Sequence, residues 1–169
     1  MGDIIHAMVA LQYIKQVNPT LQIDWIVEQG FAKVLEGNPH IDHILPVNLK
    51  KIKADKKKIF EQIKIVRDYA KNNYDLIIDA QGLIKSAITS KLLGKNRAGF
   101  SKNSIREGLA SYFYQYKINI AYDANTIERN AKVMSDPLGV EITKQMILEK
   151  EPFLFFDEAP EIEEYLSSM

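Results

Sequence analysis

The run Tyr74-Asp75-Leu76-Ile77-Ile78-Asp79-Ala80 is short, apolar at its centre and followed at once by Gln81-Gly82 and a helix-patterned stretch. A bounded run without polar alternation reads as a strand covered on both faces, the kind found in parallel sheets. Such a strand pairs with its parallel neighbours through crossover helices, so the rest of the chain should supply them.

It does. Ile4, Ala7, Met8, Leu11 and Ile14 recur at helical spacing across residues 4–17, with Ile5 and Val9 off that stripe, so this helix is buried on more than one side. Asn18-Pro19 stops it. Residues 21–28 read as a strand, 30–37 as a short helix between glycines, and 43–47 as a second strand carrying Pro46. Residues 56–72 form an amphipathic helix with Ile59, Ile63, Val66 and Ala70 on one stripe. Helices are predicted over 83–93, 104–115 and 126–135, and a last strand over 152–156. Strands alternating with helices define an α/β fold, a Rossmann-like open parallel sheet with helices on both faces. The first residues already stand at a strand-to-helix turn with no strand before them. A doubly wound sheet would place that strand centrally, so the expectation is a chain that begins inside its domain.

The 169 residues suit one domain, and 46% hydrophobic residues exclude a disordered chain. Lys+Arg and Asp+Glu both number 22, so no overall charge points to nucleic acid. The absence of cysteine excludes disulfides and thiol catalysis and fits a reducing compartment. No apolar run approaches the roughly 20 residues of a membrane span. Charge is unevenly placed, however. Residues 50–71 hold nine basic side chains against three acids, and residues 149–169 hold seven acids against Lys150. The basic segment is either a solvated helix face or a face for an anionic partner.

Four places could carry chemistry. Gly2-Asp3-Ile4-Ile5-His6 sets a carboxylate at a helix N-terminus, where the dipole and free N–H groups keep it ionised. Asp3 is then either a cap or a base for a sugar hydroxyl. Asp79, Gln81, Gly82 and Lys85 stand where a buried strand gives way to a helix, the position at which open α/β sheets bind ligands. Asp79 and Gln81 could bond hydroxyls, and Lys85 could meet a carboxylate or phosphate; a capped helix with a glycine turn is the plainer reading. Lys50, Lys51 and Lys53 follow a strand end and suit phosphate or carboxylate as point charges. Arg106 stands in the first turns of a predicted helix, where the dipole disfavours a cation, so a partner or ligand should hold it. His40 and His43 flank a strand but have no further metal ligands in view, and are read as structural. No glycine-rich phosphate loop is present.

The motifs G-D-I-I-H, I-D-W-I-V-E, Y-D-L-I-I-D-A-Q-G-L-I-K-S-A and S-I-R-E-G-L-A-S-Y-F-Y together resemble the lipopolysaccharide heptosyltransferases of type I, within the ADP-heptose-using glycosyltransferases of family 9. The likeness runs in order over nearly the whole chain, and D-A-Q-G-L-x-K-S is its most specific piece. It implies a GT-B fold of two Rossmann-like halves. Residues 1–169 would be the single N-terminal, acceptor-binding domain, truncated and lacking its first strand, with the donor domain outside the chain. It implies inverting transfer of heptose from ADP-heptose to Kdo of Kdo-lipid A in inner-core lipopolysaccharide biosynthesis, with no cofactor and no essential metal. The enzyme would be cytoplasmic and peripheral on the inner membrane. By the same resemblance Asp3 is the general base, with Gly2 and His6 beside it. Lys50, Lys51 and Lys53 meet Kdo carboxylates and lipid A phosphates, and Arg106 matches the arginine of the family's R-E-x-L-A-S segment. The 169 residues alone are expected not to transfer heptose.

Two other readings stay open. One is a related core heptosyltransferase acting on a heptose acceptor. The other is a non-catalytic α/β module binding an anionic glycolipid or nucleic acid through residues 50–71. That segment holds only Phe60 and Tyr69 as aromatics, which serves base stacking poorly.

Overall fold

The computed structural model describes residues 2–49 and 58–155. Helix α1 (Gly2–Val17) leads into strand β1 (Asp24–Glu28), a 3-10 segment (Gln29–Leu35) and strand β2 (His43–Val47). Helix α2 (Lys58–Tyr69) precedes β3 (Ile77–Asp79), α3 (Ile84–Leu93) and β4 (Arg97–Phe100). Two 3-10 segments (Lys102–Ser104 and Gly108–Phe113) lead to β5 (Tyr116–Ile118), then α4 (Thr126–Ser135) and α5 (Lys144–Leu148).

All strand pairing is parallel, as the apolar 74–80 run implies. β1 pairs with β2, and β3-β4-β5 form a second ladder. No ladder joins β1 to β3 among the described residues. Both ladders nevertheless lie between the same helices. Val27 of β1 and Phe100 of β4 pack into a core with α1 and α4. Ile26 of β1, Val47 of β2 and Ile77 of β3 pack on the other face with Val66 of α2 and Leu93 of α3. Every residue of α1 from Ala7 to Ile14 is buried, which agrees with a helix apolar on several sides. Burying a side chain such as Leu11 stabilises the fold by about 1.5–3 kcal/mol. The Tyr13 hydroxyl donates to the Met146 carbonyl and ties α1 to α5. Pro46, paired opposite Val27, is tolerated because β2 pairs with β1 alone among the described residues.

Three expectations need correction. Residues 104–115 do not form a helix: Ile105 is extended, with φ −137° and ψ 157°, and only a 3-10 segment follows at Gly108–Phe113. The Ile105 side chain turns into the core, and the Ser104 hydroxyl accepts from the Ile120 N–H instead of serving a helix. Residues 151–155 carry no strand; Phe153 and Leu154 pack against the core while the Phe153 carbonyl accepts from the Asn38 side chain. The apolar run at 74–80 yields three ladder residues rather than seven; ahead of them the Asp75 carbonyl accepts from the Asn96 side chain, and the Tyr74 hydroxyl bonds Asp24. Strands β4 and β5 were not anticipated.

Candidate functional site

The helices place one edge of the sheets as the ligand edge. Lys15, near the end of α1, donates to the Leu21 carbonyl at 2.5 Å and pairs with Asp42 at 3.2 Å, so α1 ends where β1 and β2 begin. Its first turn therefore lies at the edge where those strands end. Tyr74 donates to Asp24 at 2.8 Å, which sets the approach to β3 beside the start of β1. The carboxyl ends of both ladders thus face one way, and in open α/β sheets ligands bind outside that edge.

The turn after β3 is fixed from within. Asp79 is buried, and its Oδ1 accepts from the N–H groups of Gln81 at 2.9 Å and Gly82 at 3.2 Å. Its Oδ2 accepts from the Tyr114 hydroxyl at 2.6 Å. Burial, and then the neighbouring Asp79 carboxylate, push the Tyr114 hydroxyl far above the usual phenol range, so it stays a donor. The ring of Tyr114 reaches Asp79 by lying over Gly99, where a Cβ would stand 2.5 Å from it. Gly82 sits at φ +64°, and a Cβ there would meet Ile105 Cγ2 at 2.6 Å. The carboxylate expected to bond a sugar is thus bonded on both oxygens inside the chain. What the turn presents outward is Gln81, exposed, with Lys85 exposed in the first turn of α3.

The segment after β4 locks onto this turn. Glu107 Oε2 accepts from the N–H of Ile84 at 2.7 Å and so caps α3 from a distant stretch of chain. Ile105 lies against Gly82, and Arg106, between these two anchors, is exposed. Gln81, Lys85 and Arg106 are therefore brought together on adjoining segments. The argument that drew attention to Arg106 rested on a helix that does not form; its exposure beside the turn is the better reason.

Gly2, Asp3 and His6 stand in the first two turns of α1, with Asp3 exposed. His6 is half-buried, and its Nδ1 is buried without a hydrogen-bond partner. A Cβ on Gly2 would lie 3.8 Å from the His6 ring, so the two face each other across the first turn. Lys50, Lys51 and Lys53 lie outside the described residues. His43 bonds Asp24 at 2.8 Å, while His40 is held below its usual range by burial and then by Lys15. Among the described residues no three His, Cys, Asp or Glu side chains gather as a metal site would require.

Sequence reasoning missed Arg129, in the first turns of α4. Its guanidinium lies 5.3 Å from the Phe100 ring centre and 4.9 Å from that of Tyr122. Nη2 donates to the Ser104 carbonyl at 2.5 Å, and Nε is buried with no acceptor. It has no carboxylate partner among the described residues. Phe100 also flanks Gly82, so this cation stands behind the same turn. The signal was available: an arginine at a helix start, against the dipole.

A parallel α/β layer with a preset turn and exposed polar and basic side chains at the carboxyl edge of its strands is the frame of a ligand-binding domain of the open-sheet class. Residues 62–155 match glycosyltransferase family 9 (heptosyltransferase), and the chain belongs to that family. It is 37% identical over 158 residues to lipopolysaccharide heptosyltransferase 1 of Campylobacter coli, a match covering 94% of this chain and 45% of that protein. It is 34% identical over 149 residues to lipopolysaccharide heptosyltransferase 1 of Escherichia coli (strain K12), covering 82% and 45%. The solved structure of E. coli heptosyltransferase WaaC with ADP-2-deoxy-2-fluoro heptose superposes with a TM-score of 0.79 at 29% identity, over 89% of this chain and 52% of that one. The chain thus spans about half the length of the relatives it matches.

Proposed function

We propose that these residues form the acceptor-binding, N-terminal domain of a GT-B enzyme that transfers heptose from ADP-heptose to Kdo of Kdo-lipid A, in inner-core lipopolysaccharide synthesis. The observation that carries this reading is the carboxyl edge itself, in a chain of this family. It sets exposed Asp3 at the same edge as a turn, locked by Asp79 and Tyr114, that presents Gln81 and Lys85 beside Arg106. In the proposed step Asp3 takes the proton of an acceptor hydroxyl while that oxygen attacks the anomeric carbon of heptose from the face opposite ADP. The new carbon–oxygen bond forms as the bond to the diphosphate breaks, and ADP leaves with the electron pair. Inversion follows from attack on the opposite face, and neither a cofactor nor a metal ion is required. Lys50, Lys51, Lys53, Lys85 and Arg106 meet the carboxylates and phosphates of the acceptor, and Gly2 and His6 shape the turn that carries the base. Asp79 and Gly82 hold the turn rather than the sugar. The enzyme works on the cytoplasmic face of the inner membrane as a peripheral protein.

The test is heptose transfer by the whole enzyme that carries these residues as its acceptor domain, and by its Asp3→Asn variant, with Kdo-lipid A and with heptosylated core as separate acceptors. Transfer to Kdo-lipid A that falls by about 10²–10⁴ in the variant, the range for a positioned general base, supports the reading. A variant as fast as the parent overturns the role of Asp3. Transfer to heptosylated core alone overturns the acceptor.

A further inference from the structure

Helix α3 and the 3-10 segment after β4 leave an apolar surface bare. Ile84 and Ile88, four residues apart on one face of α3, are 37% and 45% exposed. Leu109 and Tyr112, three residues apart on a 3-10 turn, eclipse each other and are 64% and 68% exposed. The two pairs adjoin, because the segment 107–113 runs alongside α3. Glu107 caps Ile84 at one end, and Lys91 stands 5.7 Å over the Phe113 ring at the other.

The border of this surface is basic. Lys85 follows Ile84, Lys91 lies against Phe113, and Lys117 stands 5.9 Å over the Tyr112 ring. Residues 81–118 carry seven Lys and Arg side chains against the single acid Glu107, in a chain whose charges balance overall. That acid is turned inward onto α3.

We propose that this face docks onto an anionic lipid bilayer, with Leu109, Tyr112, Ile84 and Ile88 entering the headgroup region and the bordering lysines meeting lipid phosphates. This deepens the reading of the acceptor as a membrane lipid, and the choice of a lipid surface rests on that reading. The chemistry points the same way. Cores of protein interfaces are poor in lysine, whereas interfacial segments combine aliphatic and aromatic side chains with lysines that reach back to phosphates. A nucleic acid would be served by the lysines but not by Ile88 and Leu109. The first residue of the face, Ile84, also begins the helix that follows the 79–82 turn, so docking would hold the acceptor edge near the bilayer.

The experiment is sedimentation of the protein with vesicles of phosphatidylglycerol and phosphatidylethanolamine, and with vesicles of phosphatidylcholine. Expected is binding to the anionic vesicles, weakened by salt, and little to the neutral ones. The double variant Leu109→Ser/Tyr112→Ser should weaken binding by about tenfold or more, given the apolar area withdrawn. Lys91→Glu/Lys117→Glu should weaken it by about tenfold. Unchanged thermal unfolding shows that both variants fold, and in the whole enzyme that carries these residues transfer to detergent-dispersed Kdo-lipid A should match the parent. The proposal is overturned if the parent ignores anionic vesicles, or if both variants bind as the parent does, which would place the contact elsewhere. It is also overturned if the parent elutes as a dimer that Leu109→Ser/Tyr112→Ser dissociates, which would make the occupant a second copy. Vesicle binding that responds to the variants in a whole enzyme inactive on dispersed acceptor would sink the proposed reaction and leave the docking face standing.

Discussion

The Tyr114 hydroxyl donates to Asp79 Oδ2 at 2.6 Å, from a ring that crosses the sheet over Gly99. Asp79 and Gly99 are partners in the β3–β4 ladder, so one strand supplies the carboxylate and the next supplies the gap through which the phenol arrives. The turn that presents Gln81 is thereby built from three segments distant in sequence.

Removing that hydroxyl should cost stability in a pH-dependent way. Tyr114→Phe leaves Asp79 buried with one donor fewer, and a lost hydrogen bond to a charged group costs about 1.5–3 kcal/mol. The folded state holds the Tyr114 hydroxyl above its unfolded value near 10. A raised folded value means that this stabilisation is complete below about pH 10 and is lost as pH rises beyond it, because only the unfolded chain then gives up the proton. Denaturant unfolding at pH 7 and pH 11 should show the parent losing more stability than Tyr114→Phe between the two. An equal loss in both proteins would remove Tyr114 from the alkaline transition.

Gly99 should resist even alanine. The added Cβ would stand 2.5–2.7 Å from three atoms of the Tyr114 ring, and that ring is walled in by burial. Overpacking of this kind costs about 1–3 kcal/mol. Since the ring must withdraw from Asp79, Gly99→Ala and Tyr114→Phe should be strongly non-additive, the double variant being more stable than the sum of the single losses implies. A double-mutant cycle by chemical denaturation measures this, and simple additivity would mean that the ring moves without breaking its bond.

The cap on α3 makes a separate prediction. Glu107→Ala removes the acceptor for the Ile84 N–H, and loss of a cap costs about 0.5–2 kcal/mol. Amide exchange should quicken at Ile84 and around residues 104–107, while strands β1 and β2 keep their protection. Faster exchange across the whole domain would instead show that Glu107 supports the global fold.

How far the fold could be read in advance follows from where its bonds come from. The 74–80 run and the helix after it were legible because apolar continuity and helical spacing are local signals, and the same holds for Thr126–Ser135 with its Asn125 cap. Strands β4 and β5 were not. Arg97-Ala98-Gly99-Phe100 and Tyr116-Lys117-Ile118 are short, and β4 owes its place to long-range bonds, such as Arg97 Nε to the Phe113 carbonyl at 2.6 Å. At the site, the Asp-Ala-Gln-Gly turn stood out because it lies where a buried strand gives way to a helix. Tyr114 did not, since nothing local distinguishes it within a stretch that read as helix. The helical reading of 104–115 failed because Ile105, Ser104 and Glu107 all find better partners outside the segment.

Arg129 separates packing from charge. Stacked between Phe100 and Tyr122 and bonded to the Ser104 carbonyl, it holds the segment 104–107 against α4, yet it has no carboxylate to neutralise it among the described residues. Arg129→Lys keeps the charge but loses the planar stack and the forked donor, and should cost about 1–2 kcal/mol in unfolding free energy. Arg129→Met keeps much of the apolar contact and loses the charge. On the proposed reading of the acceptor, if the guanidinium serves packing alone, both variants should bind Kdo-lipid A as tightly as the parent once compared well below their unfolding temperatures. If it also attracts the anionic acceptor proposed for the 79–82 turn, Arg129→Met alone should weaken that binding, and the difference from Arg129→Lys should shrink as salt is added. The second outcome is expected, because the cation lies directly behind Phe100, on which the Gly82 turn rests. Equal acceptor Kd values for the two variants at low salt would assign Arg129 to packing.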